Sequence, residues 1–259
     1  MEASAARQFF IDLADELGLD STQFTQELDD GVYADYVAAS EQEAAGLGLP
    51  GTPSAIVDGK LAAGDGLPRD FAPWDQYVSS AIMVKELEAR QYNEAPPMNL
   101  EDGKRYTARV KMENGDEFLI ELLPESAPET VNSFVFLAQE GWFDNVSFHR
   151  VIPGFVAQTG DPTGTGMGGP GYALPNEIDP DLTHAEKGMV AMANSGPDTN
   201  GSQWYVTLGD ASFLDGGYTI FGRVIEGLDV VENITARDPS IDPQAPEGDK
   251  ITTIIIEVE

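Results

Sequence analysis

The second part of the chain alternates apolar and polar residues in short runs that glycine-rich turns separate. RYTARVKM (105–112) and EFLIELL (117–123) flank Asn114-Gly115, and this pattern predicts a β-hairpin because Asn-Gly favours the tight turn between antiparallel strands. Further strands are predicted around 146–151, 155–158, 188–193, 203–207, 219–224 and 250–258. Many short strands with few helices predict a mainly β domain in the form of a closed barrel.

One segment of this β-rich part has helical periodicity. Residues 128–140, PETVNSFVFLAQE, form an amphipathic pattern with proline in the first turn, where its missing N–H costs nothing. We therefore predict one helix over 128–140.

Before residue 93 the pattern is mainly helical. Phe10, Leu13 and Leu17 are spaced as one face of a helix requires. Ser21 is the predicted N-cap of a second, short helix, and a third helix is predicted near Tyr33 and Val37. The order that follows is a Gly/Pro turn, a short strand at 54–57, a turn at Asp58-Gly59, a second short strand, and a helix from Trp74 to Tyr92.

A boundary between two domains is predicted in EAPPMNLEDGK, residues 94–104. The pair Pro96-Pro97 cannot continue a helix and disfavours helical geometry in the residue before it. We place the linker at about 93–99, so that 1–95 form an N-terminal module and 96–259 form the β-rich domain.

The charge of the chain limits its partners. The net charge is −31, from 45 acidic and 14 basic residues, and the excess of acids is spread over both parts. Such a field repels a phosphate backbone, so we expect no nucleic-acid partner. No apolar run is long enough to span a membrane, and acids replace the apolar core of a signal peptide at the start. We therefore expect a soluble chain, cytoplasmic, or extracytoplasmic if the N-terminus is truncated.

The residue inventory also limits the chemistry. The sequence has no cysteine and only two histidines, His149 and His184. Disulfides, thiolate catalysis and cysteine-based zinc sites are thereby excluded, and a histidine-rich metal site is not expected. We expect no metal and no cofactor. GTGMGG (164–169) formally matches a dinucleotide fingerprint but does not join a strand to a helix, so we interpret it as a flexible loop near the site.

Two long motifs carry the functional signal. FHRVIPGFVAQTGD (148–161) and MANSGPDTNGSQWYVTLGDASFLDGGYTIFGRV (192–224) resemble, in order and spacing, the two halves of the cyclophilin active site. The resemblance covers roughly residues 100–259 and implies a closed eight-stranded antiparallel barrel with two capping helices. It also implies peptidyl-prolyl cis-trans isomerase activity on proline-containing peptides and unfolded proteins.

The same resemblance implies the site residues. Arg150 matches the catalytic arginine, and Gln158 matches the glutamine that helps to hold it and the substrate backbone. Positions implied to bind substrate are Phe155, Val156, Ala193, Asn194, Gln203, Tyr205, Phe213, Leu214 and Tyr218. Tyr205 stands where the family usually has Phe, Phe213 where it often has Trp, and Tyr218 where it often has His.

A permanent cation in an apolar setting suits this reaction. Twisting an X–Pro amide ends its resonance and leaves a localised lone pair on the proline nitrogen, which a donor can stabilise only in the twisted state. Arginine offers several donors and stays charged, so we assign Arg150 hydrogen bonding and electrostatics, not proton transfer. The alternative is a non-catalytic chaperone or scaffold module that binds proline-containing segments. An intact Arg150 favours the enzyme.

The N-terminal part has a resemblance of its own. GLPGTPSAIVDGK (48–60) is similar to the Gly-X-Pro turn and hairpin of thioredoxin-fold proteins, DsbA-like ones in particular. The resemblance implies a cis Pro53 and a partial thioredoxin-like α/β module that lacks the first strand and the redox cysteines, so thiol–disulfide exchange is excluded. The alternative is a small helical segment with a Gly-Pro hairpin.

Overall fold

The computed structural model describes residues 3–51, 54–57, 59–63, 71–242 and 244–259. Its Cα positions divide into two units, Met1–Ala81 and Ile82–Glu259. The division falls inside a helix, α4, which runs from Phe71 to Arg90. Among the described helices, none has the length and apolar character needed to cross a bilayer.

The described residues of the first unit form three helices and a hairpin before α4. These are α1 (Ala3–Glu16), α2 (Ser21–Asp29), α3 (Ala34–Gly46), β1 (Ser54–Val57) and β2 (Lys60–Ala63). The N-cap of α2 is Asp20 and not Ser21, because the Asp20 carboxylate accepts hydrogen bonds from the backbone N–H groups of Thr22 and Gln23. Pro53 and Asp58 lie outside the described residues, so a cis Pro53 stays a prediction.

The second unit is built on one eight-stranded antiparallel sheet. Its strands are β3 (Tyr106–Met112), β4 (Glu117–Leu122), β5 (Arg150–Ile152), β6 (Val156–Thr159), β7 (Met189–Met192), β8 (Trp204–Thr207), β9 (Ile220–Glu226) and β10 (Ile251–Val258). The spatial order is β10-β3-β4-β9-β7-β8-β6-β5. The predicted Asn-Gly hairpin is confirmed, since Lys111 pairs with Glu117 across the turn and Gly115 has φ of 92°.

The expected closed barrel is wrong: the described sheet is open between its edge strands β5 and β10. β5 has only three residues, and its central residue Val151 exchanges backbone hydrogen bonds with Arg237, which lies outside any strand. A single isolated bridge, Ser147 to Lys250, connects this end of the sheet to the start of β10. The ladder between the edges is thus too short to close the sheet, and the fold is a half-barrel.

Two helices, α5 (Pro128–Gln139) and α6 (Leu228–Glu232), contribute to the core of this unit. The helix predicted over 128–140 is confirmed, with Pro128 in its first turn. Phe134 of α5 contacts the buried rings of Trp204 and Phe221, with centroid distances of 5.8 and 5.1 Å. This aromatic core fixes β8 and β9 from the inside.

Candidate active site

A cavity of about 220 Å³ lies beside β5, β6 and β8. It brings together nine of the residues that the motifs predict for the site. They are Arg150, Phe155, Val156, Gln158, Ala193, Asn194, Tyr205, Leu214 and Tyr218. The other two predicted residues, Gln203 and Phe213, contact members of this set without lining the cavity themselves.

The sheet register positions the polar residues of the cavity. Arg150 on β5 pairs with Gln158 on β6, and Gln158 pairs with Tyr205 on β8. Directly paired residues in antiparallel strands have their side chains on the same face. The eight-residue interval between Arg150 and Gln158 therefore folds into a hairpin that places both side chains next to each other.

The guanidinium of Arg150 has an apolar and an anionic neighbour. Its Cζ lies 5.9 Å from the ring centroid of Phe155, a cation–π distance. Its Nε lies 3.7 Å from Oδ2 of Asp238. Among the described residues Asp238 is the only ion-pair partner of Arg150, and the nitrogen that faces it is Nε and not a terminal nitrogen of the guanidinium.

Asp238 is a site residue that the motifs did not predict. Its Oδ1 accepts hydrogen bonds from the backbone N–H and the hydroxyl of Ser240, at 3.1 and 2.5 Å. These bonds, and secondly the charge of Arg150, lower the pKa of the Asp238 carboxyl below its usual value. Asp238 lies in an irregular segment after α6, and nothing in the local sequence signals its proximity to Arg150.

Gln158 is held by a second amide. Its Nε2 donates to Oε1 of Gln203 at 3.0 Å. Gln203 in turn donates through Nε2 to the carbonyls of Gly166 and Gly168, both at 2.9 Å. Gln203 therefore fixes the amide of Gln158. It does not line the cavity of about 220 Å³, but it does line a larger cavity beside it.

The glycine-rich loop 164–169 is organised by one buried carboxylate. Asp161 is fully buried and accepts hydrogen bonds from the backbone N–H groups of Thr163, Thr165, Gly166 and Gly168. Burial opposes its ionisation, but the bonds from Thr163 and Gly168 outweigh it and lower its pKa. A Cβ at Gly168 would lie 2.0 Å from Oδ1 of Asp161, so only glycine fits there.

The apolar wall of the cavity is formed partly by a 3-10 turn, Ser212–Leu214. Phe213 stacks on Phe155 with a centroid distance of 5.5 Å and an interplanar angle of 25°, although 74% of Phe213 is exposed. Leu214 reaches the cavity itself. Tyr218 meets Tyr205 edge to face at 6.0 Å.

Tyr205 lies at one end of a chain of hydrogen-bonded side chains. Its hydroxyl lies 3.0 Å from Nε2 of His184, which is fully buried, and Nδ1 of His184 lies 2.7 Å from Oδ1 of Asp215. Asp215 also accepts from the Thr183 hydroxyl and from the His184 backbone N–H, and these bonds lower its pKa to about 2. The chain ties the floor of the cavity on β8 to the end of the 3-10 turn.

A second, larger cavity of about 550 Å³ adjoins the first. The two share Gln158, Ala193 and Asn194 as lining residues. The two cavities therefore lie side by side.

Comparison with known proteins identifies the fold and the family. Residues 107–256 match the family model described as cyclophilin type peptidyl-prolyl cis-trans isomerase/CLD, and residues 2–72 match that of the DSBA-like thioredoxin domain. A crystal structure of a cyclophilin type peptidyl-prolyl cis-trans isomerase from Cryptosporidium parvum superposes with a TM-score of 0.53 at 35% identity, covering 59% of this chain and 98% of that chain.

Curated relatives agree with this assignment. Peptidyl-prolyl cis-trans isomerase-like 1 of Aspergillus fumigatus is 52% identical over 120 residues, which are 45% of this chain and 74% of the relative. Peptidyl-prolyl cis-trans isomerase B of Bacillus subtilis is 45% identical over 132 residues, covering 51% of this chain and 92% of the relative. With 150 of its 259 residues inside the family model, the chain belongs to the cyclophilin-type peptidyl-prolyl cis-trans isomerases.

Proposed function

We propose that the cavity of about 220 Å³ holds the proline ring of an X–Pro segment and that Arg150 stabilises the twisted amide. The observation that carries the proposal is the placement of Arg150 among Phe155, Val156 and Leu214 in one cavity. Apolar walls suit a proline ring, and they strengthen the field of a nearby cation because they exclude water.

This placement of Arg150 is sufficient to explain how the barrier to rotation of the X–Pro amide is lowered. The barrier to rotation of an ordinary peptide bond is about 18–20 kcal/mol and arises from amide resonance. In the twisted state the nitrogen lone pair is localised, and a guanidinium N–H can donate to it. The planar ground state offers no such acceptor, so the interaction lowers the barrier selectively.

The surrounding polar residues have supporting roles in this proposal. Once a peptide is bound, Gln158 helps to hold the guanidinium of Arg150 and the substrate backbone, while Ala193 and Asn194 pair with the peptide at the rim. Gln203 fixes the amide of Gln158 through the 3.0 Å hydrogen bond. No residue has to gain or lose a proton during the rotation.

The substrate class follows from the family and from the cavity. Cyclophilin-type isomerases act on proline-containing peptides and proteins. A second Cryptosporidium parvum structure, with the same TM-score of 0.53 and 35% identity, was determined in the presence of the dipeptide Ala-Pro. We propose that peptides and unfolded chains with an accessible X–Pro bond are the substrates here.

Exchange spectroscopy on a short peptide separates turnover from binding alone. The cis and trans forms of an X–Pro tetrapeptide give separate NMR signals because they interconvert over tens to hundreds of seconds. A catalytic amount of the full chain should accelerate exchange between those signals. Shifts in the peptide signals on titration without faster exchange would instead show a binding module and overturn the proposal.

A further inference from the structure

The end of α4 is packed against the isomerase unit, although it lies outside the residues that match the family model. Leu87 and Tyr92 pack against the buried core of the sheet. Arg90 lies 5.2 Å from the ring centroid of Trp142 and donates to its backbone carbonyl at 3.0 Å. This segment is therefore a fixed part of the second unit.

The two residues that directly follow α4, Gln91 and Tyr92, bind the chain at the end of the glycine-rich loop 164–169. The backbone N–H of Tyr92 donates to the carbonyl of Pro170 at 2.8 Å, and Nε2 of Gln91 donates to the carbonyl of Gly169 at 3.0 Å. Gly171 has φ of +93°, and a Cβ there would lie 2.4 Å from the carbonyl oxygen of Tyr92. The two backbones thus approach as closely as glycine allows.

These contacts make Gln91 part of the wall of the second cavity. None of the residues that line this cavity has a charged side chain, and several of them offer amides or hydroxyls, among them Asn194, Ser195, Thr199 and Ser202. One N–H of the Gln91 amide is used by Gly169. No other partner of this amide is found among the described residues, so its Oε1 and its other N–H can meet a ligand.

We propose that Gln91 is a specificity-determining residue of this isomerase, which contacts a substrate side chain near the proline and favours uncharged hydrogen-bonding side chains there. The inference rests on the proposed seat of the proline in the first cavity. An extended peptide advances about 3.3–3.6 Å per residue. Because the two cavities share Gln158, Ala193 and Asn194, the second is reached within two or three residues of the proline.

A peptide series on the full chain tests the assignment. Gln and Leu are compared, by kcat/KM, at each of two positions before and two positions after the proline. The unsubstituted protein should prefer Gln at one of these positions. Gln91→Ala should reduce that preference about three- to tenfold, the range that loss of one hydrogen bond predicts, and should leave the Leu peptide nearly unchanged.

Two further variants sharpen the result. Asn93→Ala removes another exposed amide two residues away, for which no hydrogen bond is found among the described residues, and should leave the Gln/Leu ratio unchanged. Gln91→Glu introduces a carboxylate at the wall and should raise the preference for Lys over Gln at the same position.

The outcomes separate this inference from the proposed function. If the unsubstituted protein accelerates exchange but Gln91→Ala leaves the ratio unaltered, or lowers kcat/KM equally for all peptides, Gln91 has no role in specificity and the inference is wrong. If the unsubstituted protein does not accelerate exchange for any peptide, the proposed function fails, and the inference fails with it.

Discussion

The side-chain amides of Gln158 and Gln203 face each other at 3.0 Å, and Gln203 is anchored in turn to the carbonyls of Gly166 and Gly168. The orientation of the Gln158 amide in the cavity therefore depends on the loop 164–169. That loop is itself held by the buried carboxylate of Asp161.

Replacing Gln203 by Ala should lower kcat/KM on an X–Pro peptide by about tenfold, equivalent to about 1.4 kcal/mol in the barrier. The reason is that Gln158 loses the partner that fixes its amide. Gln139→Ala, which removes an exposed amide at the end of α5, is the matched control and should keep full activity. Unchanged kcat/KM in a folded Gln203→Ala protein would show that Gln158 needs no such support.

His149 should affect the free energy of unfolding and not the rate of turnover. It is buried, and neither ring nitrogen has a hydrogen-bond partner of normal geometry among the described residues. Burial lowers its pKa, although the charge of Asp161 and a weak interaction with Gln203 oppose this shift. Arg150 and Arg237 also disfavour its protonation. Since no titrating group takes part in the proposed rotation, turnover should be nearly flat from about pH 6.5 to 9.

Protonation of His149 should instead appear in the pH dependence of the free energy of unfolding. Below about pH 6.5 the unfolded chain binds a proton at His149 that the folded chain does not bind, so stability falls as the pH decreases. The loss is at most about 1.4 kcal/mol per pH unit for one group. Urea unfolding at pH 7.5 and 5.5 should show a smaller decrease for His149→Gln than for the unsubstituted protein. A rate profile that loses activity in a limb below pH 6.5, and that loses this limb in His149→Gln, would instead assign His149 a role in catalysis.

The elements and residues that short motifs encode could be predicted from the sequence. The Asn114-Gly115 turn and the helix at 128–140 depend on local preferences. Arg150 and Gln158 are adjacent because a short hairpin joins them, so a motif of fourteen residues (148–161) is enough to place both.

Features that depend on contacts between distant segments could not be predicted. Asp238 meets Arg150 only because the chain after α6 returns to β5, where Arg237 pairs with Val151. The pairing of Val151 with Arg237 also occupies the outer edge of β5, which a closed barrel would need for pairing with another strand. Gln91 directly follows α4, in a segment that the sequence assigns to the N-terminal module, and no periodicity or motif indicates that it contacts the loop at Gly169.

Tyr205→Phe should destabilise the isomerase unit by about 1–3 kcal/mol, the cost of leaving a buried polar atom without its partner. The atom concerned is Nε2 of the fully buried His184. The aromatic ring stays in the cavity, so turnover should change by less than about threefold. Tyr218→Phe is the matched control, because no hydrogen bond of the Tyr218 hydroxyl is found among the described residues. Equal urea midpoints for the two variants would contradict the assigned role of the hydroxyl.

The effect of an N-terminal truncation on thermal stability should depend on whether the truncated chain begins before or after the segment 82–96. A chain that begins at Ile82 keeps Leu87, Arg90 and Tyr92 against the isomerase unit and should retain peptide turnover within about twofold. A chain that begins at Pro97 loses these contacts and about 2 kcal/mol of apolar burial, which should appear as a lower thermal midpoint. Identical midpoints for the two chains would show that the segment 82–96 is dispensable for stability.

The role of Arg150 is tested most directly by exchange NMR on an X–Pro tetrapeptide with Arg150→Ala. Turnover should fall by about a hundredfold, equivalent to about 2.7 kcal/mol of barrier, with an unchanged fold. Arg150→Lys should recover little, because an ammonium lacks the planar set of donors. Arg223→Ala, which removes an exposed arginine bound to Glu121 on β4, should keep normal turnover. Near-full activity of a folded Arg150→Ala protein would contradict the mechanism.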